Sequence, residues 1–329
     1  MIRIATIGSN FITEQFLDAI KDITCFEIAG VYSRSINKAE VLATKHNARF
    51  VFNNLDELAR CSEIDAVYIA SPNSLHFEQS LQMLKAGKHV MCEKPLASDF
   101  QRAKEMLKVA EENNVVLFEA FLTEFLPNFN VVKNNLDNIG RITQAHFSFC
   151  QYSSRYLKYL EGDNPNTFNP NFANGSIMDI GYYCVATAVA LFGEPNSIKA
   201  TANLLDSGVD GNGQVIFVYP SFSVAITHSK VSTSFVNSEI QAENGSLQVK
   251  SISLMEKVIL CRKGEPERDL SEIQHANPMY YEALEFAKWI HSGEMDSDKT
   301  ARSLSVSKLL TEIRHQTNVV FPSDSQTTA

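Results

Sequence analysis

Two short stretches of this 329-residue chain carry residue types suited to acid–base work. In Glu93-Lys94-Pro95 an ammonium group sits between an acid and a proline, just after the apolar run 88–92. In Met178-Asp179-Ile180-Gly181-Tyr182-Tyr183 the residues Asp179 and Tyr183 stand four apart, which puts them on one face of a helix. A phenol has a pKa of about 10, a poor match to neutral pH. A nearby ammonium stabilises phenolate and draws that value down. Lys94 and Tyr183 are therefore the candidate proton carriers, and Asp179 is the candidate to orient Lys94 or to bind substrate hydroxyls. Tyr182 faces elsewhere and reads as packing.

The elements that position Lys94 are legible. Residues 65–71 read as a short buried strand that ends in Pro72-Asn73-Ser74-Leu75-His76. A helix follows to Gly87, and the strand 88–92 then runs into Glu93. Parallel strands joined by a helix place their carboxyl ends on one sheet edge, where α/β proteins bind ligands. Lys94-Pro95 is a candidate cis bond, because X-Pro bonds adopt cis at modest cost.

The alternation continues through the first 120 residues. Strand-like runs at 2–7, 26–32, 66–70, 89–92 and 115–118 enclose amphipathic stretches at 14–20, 38–46, 77–86 and 100–112. This predicts a doubly wound parallel sheet, with Ser98-Asp99 and Gly87 marking helix ends. After Phe121 the pattern changes. A helix at 130–136 and a strand at 142–152 lead to a polar loop, 161–175, and a helix at 177–191. Strands then succeed one another from 197 to 261, with turns at 210–213 and 243–245, and helices at 279–291 and 299–315 close the chain. The expected architecture is α/β: a dinucleotide-binding domain over 1–120, then an α+β domain over 121–329 built on a large, mostly antiparallel open sheet. Residues 215–219 and 222–226 are rich in β-branched and aromatic types, so that sheet face is either a subunit interface or covered by a second internal layer.

Composition narrows the class. Hydrophobic residues make up 44%, with 10 prolines and 14 glycines, as in ordinary globular proteins. A net charge of −9 disfavours nucleic-acid partners. Strand character begins at Ile2, leaving no room for a signal peptide, and no apolar run approaches a membrane span of about 18 residues. The six cysteines lie no closer than 31 positions apart, which excludes zinc or redox spacing and reads as reduced, mostly buried thiols of a cytoplasmic protein. Histidines and carboxylates show no metal-ligand spacing.

Gly8-Ser9-Asn10-Phe11-Ile12-Thr13 follows the first strand. Of the three glycines of a dinucleotide fingerprint only the first is present. Asn10 stands at the second and tolerates left-handed φ; Thr13 stands at the third and crowds the helix. The second strand ends in Ser33-Arg34, without the carboxylate that would bind a ribose and repel a 2′-phosphate. Arg34 offers a fork for that phosphate, which favours NADP(H) over NAD(H). The alternative is a solvated loop arginine.

The run 65–95 with Glu93-Lys94-Pro95, together with the Asp-x-Gly-x-Tyr arrangement at 179–183, resembles the Gfo/Idh/MocA family of NAD(P)-dependent oxidoreductases, and within it the dihydrodiol dehydrogenase and glucose-fructose oxidoreductase branch. The resemblance implies that Lys94 lies beside nicotinamide and substrate with Glu93, and that Ser71, Pro72 and Asn73 approach the pyrophosphate and ribose. It places His76 at the nicotinamide end, with Tyr152, Arg155 and Asn174 flanking the pocket. It further implies a homodimer or homotetramer formed through the C-terminal sheet. The segment 118–127 matches a family landmark but carries Glu124 where relatives usually place arginine. The expected function is hydride transfer between NADP(H) and a sugar-, polyol- or diol-like substrate; the alternative is a cofactor-bound sensor without turnover.

Overall fold

The structure, a computed structural model, describes residues 1–326. The chain begins β1 (Ile2–Ile7), α1 (Phe11–Ile20), β2 (Phe26–Tyr32), α2 (Ile36–His46), β3 (Phe50–Phe52) and α3 (Leu55–Arg60). It continues β4 (Ala66–Ile69), α4 (His76–Lys85), β5 (His89–Glu93), α5 (Phe100–Glu112) and β6 (Leu117–Ala120). Then come α6 (Pro127–Asn135), β7 (Ile142–Cys150), α7 (Tyr156–Leu160) and α8 (Tyr182–Phe192). Seven strands follow: β8 (Ser197–Leu204), β9 (Asp210–Val218), β10 (Ser223–Ser229), β11 (Ser238–Ala242), β12 (Gly245–Lys250), β13 (Lys257–Cys261) and β14 (Arg268–Asp269). The last helices are α9 (Met279–Ser292) and α10 (Ser297–Thr317).

Two compact units result. The first comprises residues 1–120 and 275–304, the second 121–274 and 305–326. The segment 275–304 thus belongs with the amino-terminal unit, whereas the sequence reading drew one boundary after residue 120. The reason is a side-chain contact invisible in the local pattern. Phe118 of β6 packs on Phe286 and Trp289 of α9, with ring centroids 5.7 and 4.8 Å apart.

The first unit holds a parallel sheet of order β3-β2-β1-β4-β5-β6. Its strands are apolar on both faces because helices cover both sides: every residue of β4 is buried, and Phe16 of α1 stacks on Tyr68 at 3.8 Å. The two-way winding expected from the sequence is present, with β3 as an added edge strand too short to show a pattern. Asp99 caps α5 by accepting from the Arg102 N–H, and Gly87 takes φ +75° just past α4.

The second unit holds a sheet of order β14-β13-β12-β11-β7-β10-β9-β8, antiparallel except for the β7–β10 pair. Alternation in β9 buries Val215 and Phe217 and exposes Ile216 and Val218, while α8 packs on β7 and β10. The 243–245 turn joins β11 to β12 as expected. The expected turn at 210–213 is instead the start of β9, and the reversal falls earlier, at Leu205–Val209, where Gly208 takes φ +88°. Pro170–Phe192 does reach the length and hydropathy of a membrane span, contrary to the sequence reading, but 72% of its apolar window is buried, as in a core helix. Only Cys92 and Cys184 are fully buried; the other four thiols are half-buried, fewer than the sequence suggested.

Candidate active site

The sheet winds in two directions from the gap between β1 and β4, the place where open α/β sheets bind ligands. Gly8 takes φ +130°, and a Cβ there would stand 3.0 Å from the Ala70 carbonyl oxygen and 3.1 Å from Thr13 Oγ1. That close approach requires glycine. Asn10 does not use a left-handed conformation; its φ is −100°. It caps α1 instead: Oδ1 accepts from the Thr13 N–H at 3.0 Å, while Nδ2 donates to the Ala70 carbonyl at 2.8 Å. Thr13 is buried without crowding, because its hydroxyl joins the same cap at 3.3 Å. The two departures from the glycine fingerprint therefore work together to fix the helix start against β4. Phe11 and Ile12, in the first turn of α1, are exposed.

Ser9 and Ser33 join the ends of β1 and β2 through a 3.0 Å hydroxyl contact, and Arg34 is exposed beside them. After β4, Ser71, Pro72 and Asn73 are half-exposed, and the Ser71 hydroxyl donates to Gln79 at 2.7 Å. His76 is fully buried, with Nδ1 2.9 Å from the Pro95 carbonyl oxygen and Nε2 2.9 Å from that of Ser71. Burial pushes its pKa down, so the ring is neutral and donates to one of these carbonyls at a time. It acts as a strut between the two strand-end loops, and its contacts are to protein.

Lys94 is half-buried directly after β5, and the Lys94–Pro95 bond is cis. Glu93 accepts a 2.5 Å hydrogen bond from the Tyr68 hydroxyl. The Leu96 N–H donates to Glu119 at 2.9 Å, and Glu119 is paired with Arg302; both side chains are at most 5% exposed. Glu282, on α9, is fully buried, and among the described residues no hydrogen bond reaches either of its carboxyl oxygens. Burial, with the charge of Glu93 adding, raises its pKa well above the ordinary range. Sequence reasoning missed Glu119, Arg302 and Glu282, since no local spacing links 119 to 302 or 93 to 282.

In the second unit, Asp179 lies in a π turn, Ile177–Gly181, that leads into α8. The sequence reading assumed one continuous α-helix here. Turns of this kind occur frequently at functional sites. Tyr183 is half-buried, its ring 6.3 Å from Phe121 and 5.7 Å from Phe149. Tyr182 is fully buried and meets Phe121 edge-on, in keeping with a packing role. The turn is anchored from the sheet: the Ile177 N–H donates to Asp210 at 2.7 Å, Ser176 Oγ lies 2.9 Å from His228 Nδ1, and the Lys230 ammonium donates to Asp179. Burial pushes Asp210 up to about 7 and His228 down to about 3, so their 3.6 Å contact involves a neutral imidazole. Asp210 was hidden in a run that reads as a turn, and Lys230 and His228 gave no signal at all. Arg155 donates to Thr167 at 3.3 Å, Asn174 accepts from the Gly175 N–H at 2.9 Å, and Tyr152 is exposed. Glu124 is half-buried in a short 3₁₀ turn, Leu122–Phe125.

The profile of the oxidoreductase family with an NAD-binding Rossmann fold matches residues 2–121, and that of the GFO/IDH/MocA C-terminal domain matches 135–248. The chain belongs to the Gfo/Idh/MocA oxidoreductase family. Within it, the chain is 50% identical over 325 residues to the uncharacterized oxidoreductase YgjR of Escherichia coli (strain K12), covering 99% of each. It is 45% identical to the scyllo-inositol 2-dehydrogenase (NADP(+)) IolU of Bacillus subtilis (strain 168), covering 98% of this chain and 99% of that one. Among solved structures, the fold is shared with KijD10, a 3-ketoreductase from Actinomadura kijaniata in complex with NADP and TDP-benzene. The TM-score is 0.86 at 24% identity, over 96% and 98% of the two chains. The protein is thus an NAD(P)-dependent oxidoreductase.

Proposed function

We propose that the protein is an NADP(H)-dependent dehydrogenase of cyclitols and related polyols. The observation that carries this reading is the 45% identity, along nearly the whole chain, to a protein named as an NADP(+)-dependent scyllo-inositol dehydrogenase. The Gly8 cradle supports a dinucleotide, since it brings backbone within reach of a pyrophosphate at the start of α1. Gly8, Ser9, Asn10, Phe11 and Ile12 would hold the pyrophosphate end, and Ser33 with Arg34 the adenosine end. Ser71, Pro72, Asn73, Glu93 and Lys94 would line the nicotinamide end, with His76 behind them.

Nicotinamide supplies the hydride acceptor on oxidation and the donor on reduction. The chain supplies the proton chemistry. The Tyr183 hydroxyl protonates the carbonyl oxygen on reduction and takes the proton back on oxidation. Lys94 is the second group assigned to proton transfer, and Asp179 accepts hydrogen bonds from ring hydroxyls. We assign the protein to the cytoplasm, which its free thiols support, since disulfides are rare there. We further assign it to homodimers or homotetramers formed through the open sheet face that bears Ile216 and Val218.

The test is a thermal-shift titration with NADPH and NADH, followed by nicotinamide absorbance with scyllo-inositol, other cyclitols, sugars and diols. NADPH binding with turnover of at least one cyclitol is expected. Binding without turnover of any of them would remove the assigned substrate class.

A further inference from the structure

We infer that Asp210 is a positioning residue for the reaction: its carboxylate holds the start of the turn Ile177–Gly181, which carries Asp179 and leads into Tyr183. The inference rests on the roles proposed for Asp179 and Tyr183. Asp210 opens β9 and is fully buried. Its Oδ2 accepts from the Ile177 N–H at 2.7 Å and lies 3.6 Å from His228 Nδ1, which stands 2.9 Å from Ser176 Oγ. Oδ1 has no hydrogen-bond partner among the described residues. The backbone makes room for both side chains. Gly175 takes φ +142°, and a Cβ there would overlap Asp210 Oδ1. A Cβ on Gly213 would stand 2.7 Å from His228 Nε2.

A purely structural post would not need an acid here. A hydroxyl can accept the same N–H without a charge, whereas a buried carboxyl with one oxygen unsatisfied is costly. Burial pushes Asp210 up to about 7, against the pull of the Ile177, Asp210 and Ser176 N–H groups and of the Lys230 ammonium. Of the groups around it, His228 on β10 is neutral, since burial takes it down to about 3. Lys230 follows β10 and is paired with Asp179 of the turn, while β8 opposes Asp210 with the apolar Leu204. Near neutral pH the anchor therefore passes between two states. The carboxylate grips the N–H groups at the start of the turn, and the neutral acid holds them less strongly. Groups shifted in this way concentrate at functional sites.

The test compares Asp210→Asn with wild type across pH, by steady-state oxidation of scyllo-inositol with NADP+, by NADPH affinity and by thermal melting. Wild-type kcat/KM should fall as pH is lowered through about 7, where the carboxylate is lost. Asp210→Asn should lack this limb and, at about pH 8, run about tenfold or more slower, the effect of losing a hydrogen bond to a charged group. NADPH affinity should stay within about twofold, because Asp210 and the turn both lie in the second unit. Stability should move the other way. The folded-state pKa of Asp210 is raised, so its contribution to stability is full below the ordinary aspartate value of about 3.9 and is lost as pH rises to about 7. Asp210→Asn has no such loss, so its melting temperature should gain on wild type between about pH 4 and about pH 7. Asp210→Ser, smaller and uncharged, gives the same readout if Asp210→Asn does not fold. Wild-type rates in the variant, an acidic limb that survives the substitution, parallel melting curves, or a loss of NADPH affinity as large as the loss of rate would each overturn the assignment. A wild-type protein that binds NADPH and turns over no polyol would instead remove the functional reading beneath it.

Discussion

Tyr183 is held by aromatic rings on two sides, Phe121 and Phe149, which restricts its swing, and it is the acid proposed above. General acid–base groups contribute about 10²–10⁴-fold, so Tyr183→Phe should lower kcat by at least about 10²-fold. NADPH affinity should change only a few-fold, because the substitution leaves the nucleotide unit intact; an unchanged rate would remove Tyr183 as the acid. At the other end, exposed Arg34 follows the buried Ser33 at the tip of β2. Arg34→Ala should weaken NADPH by about tenfold while affecting NADH little, since only the former carries a 2′-phosphate for the guanidinium. Equal weakening of both cofactors would return Arg34 to the status of a solvated loop residue.

Elements, more than single side chains, decide where Lys94 sits. The loop after β5 is tied to β6 by the Leu96 N–H on Glu119, and Glu119 is paired with Arg302 of α10. Removing one partner of a buried pair strands the other charge, so Arg302→Met should destabilise the protein by about 3–5 kcal/mol in denaturant melts. A loss well under 1 kcal/mol would mean that Glu119 is neutralised some other way. Glu282 of α9 gives a pH dependence with a definite sign. Its folded-state pKa is raised, so its contribution to stability is full below the ordinary glutamate pKa of about 4.3 and declines as pH climbs. Glu282→Gln removes that decline. The variant should gain melting temperature relative to wild type as pH is taken from about 5 to about 9; parallel curves would show that Glu282 does not titrate in this range.

For the whole molecule, the open face of the second sheet sets the expected association. Ile216 and Val218 are more than a third exposed on β9, while Val215 and Phe217 on the opposite face are buried. Ile216→Lys should therefore shift sedimentation toward the monomer and leave the monomer's own stability within about 0.5 kcal/mol, as for an ordinary surface change. A sedimentation coefficient that does not move would place any interface elsewhere.

The sequence by itself determined the two fold classes, the Gly8 turn and the release of Lys94 at a strand end. These are local features: hydrophobic periods of two and near four residues, a glycine after a strand, a strand that runs into a proline. The tertiary structure decided what no local period encodes. It returned residues 275–304 to the first unit, turned Asn10 and Thr13 into a cap, and made Asp210 a buried anchor where a turn was expected. It also brought Glu119 to Arg302 across 183 positions and Asp179 to Lys230 across 51. Such partners are chosen by which strands and helices become neighbours, and burial then forces each charge to find the other.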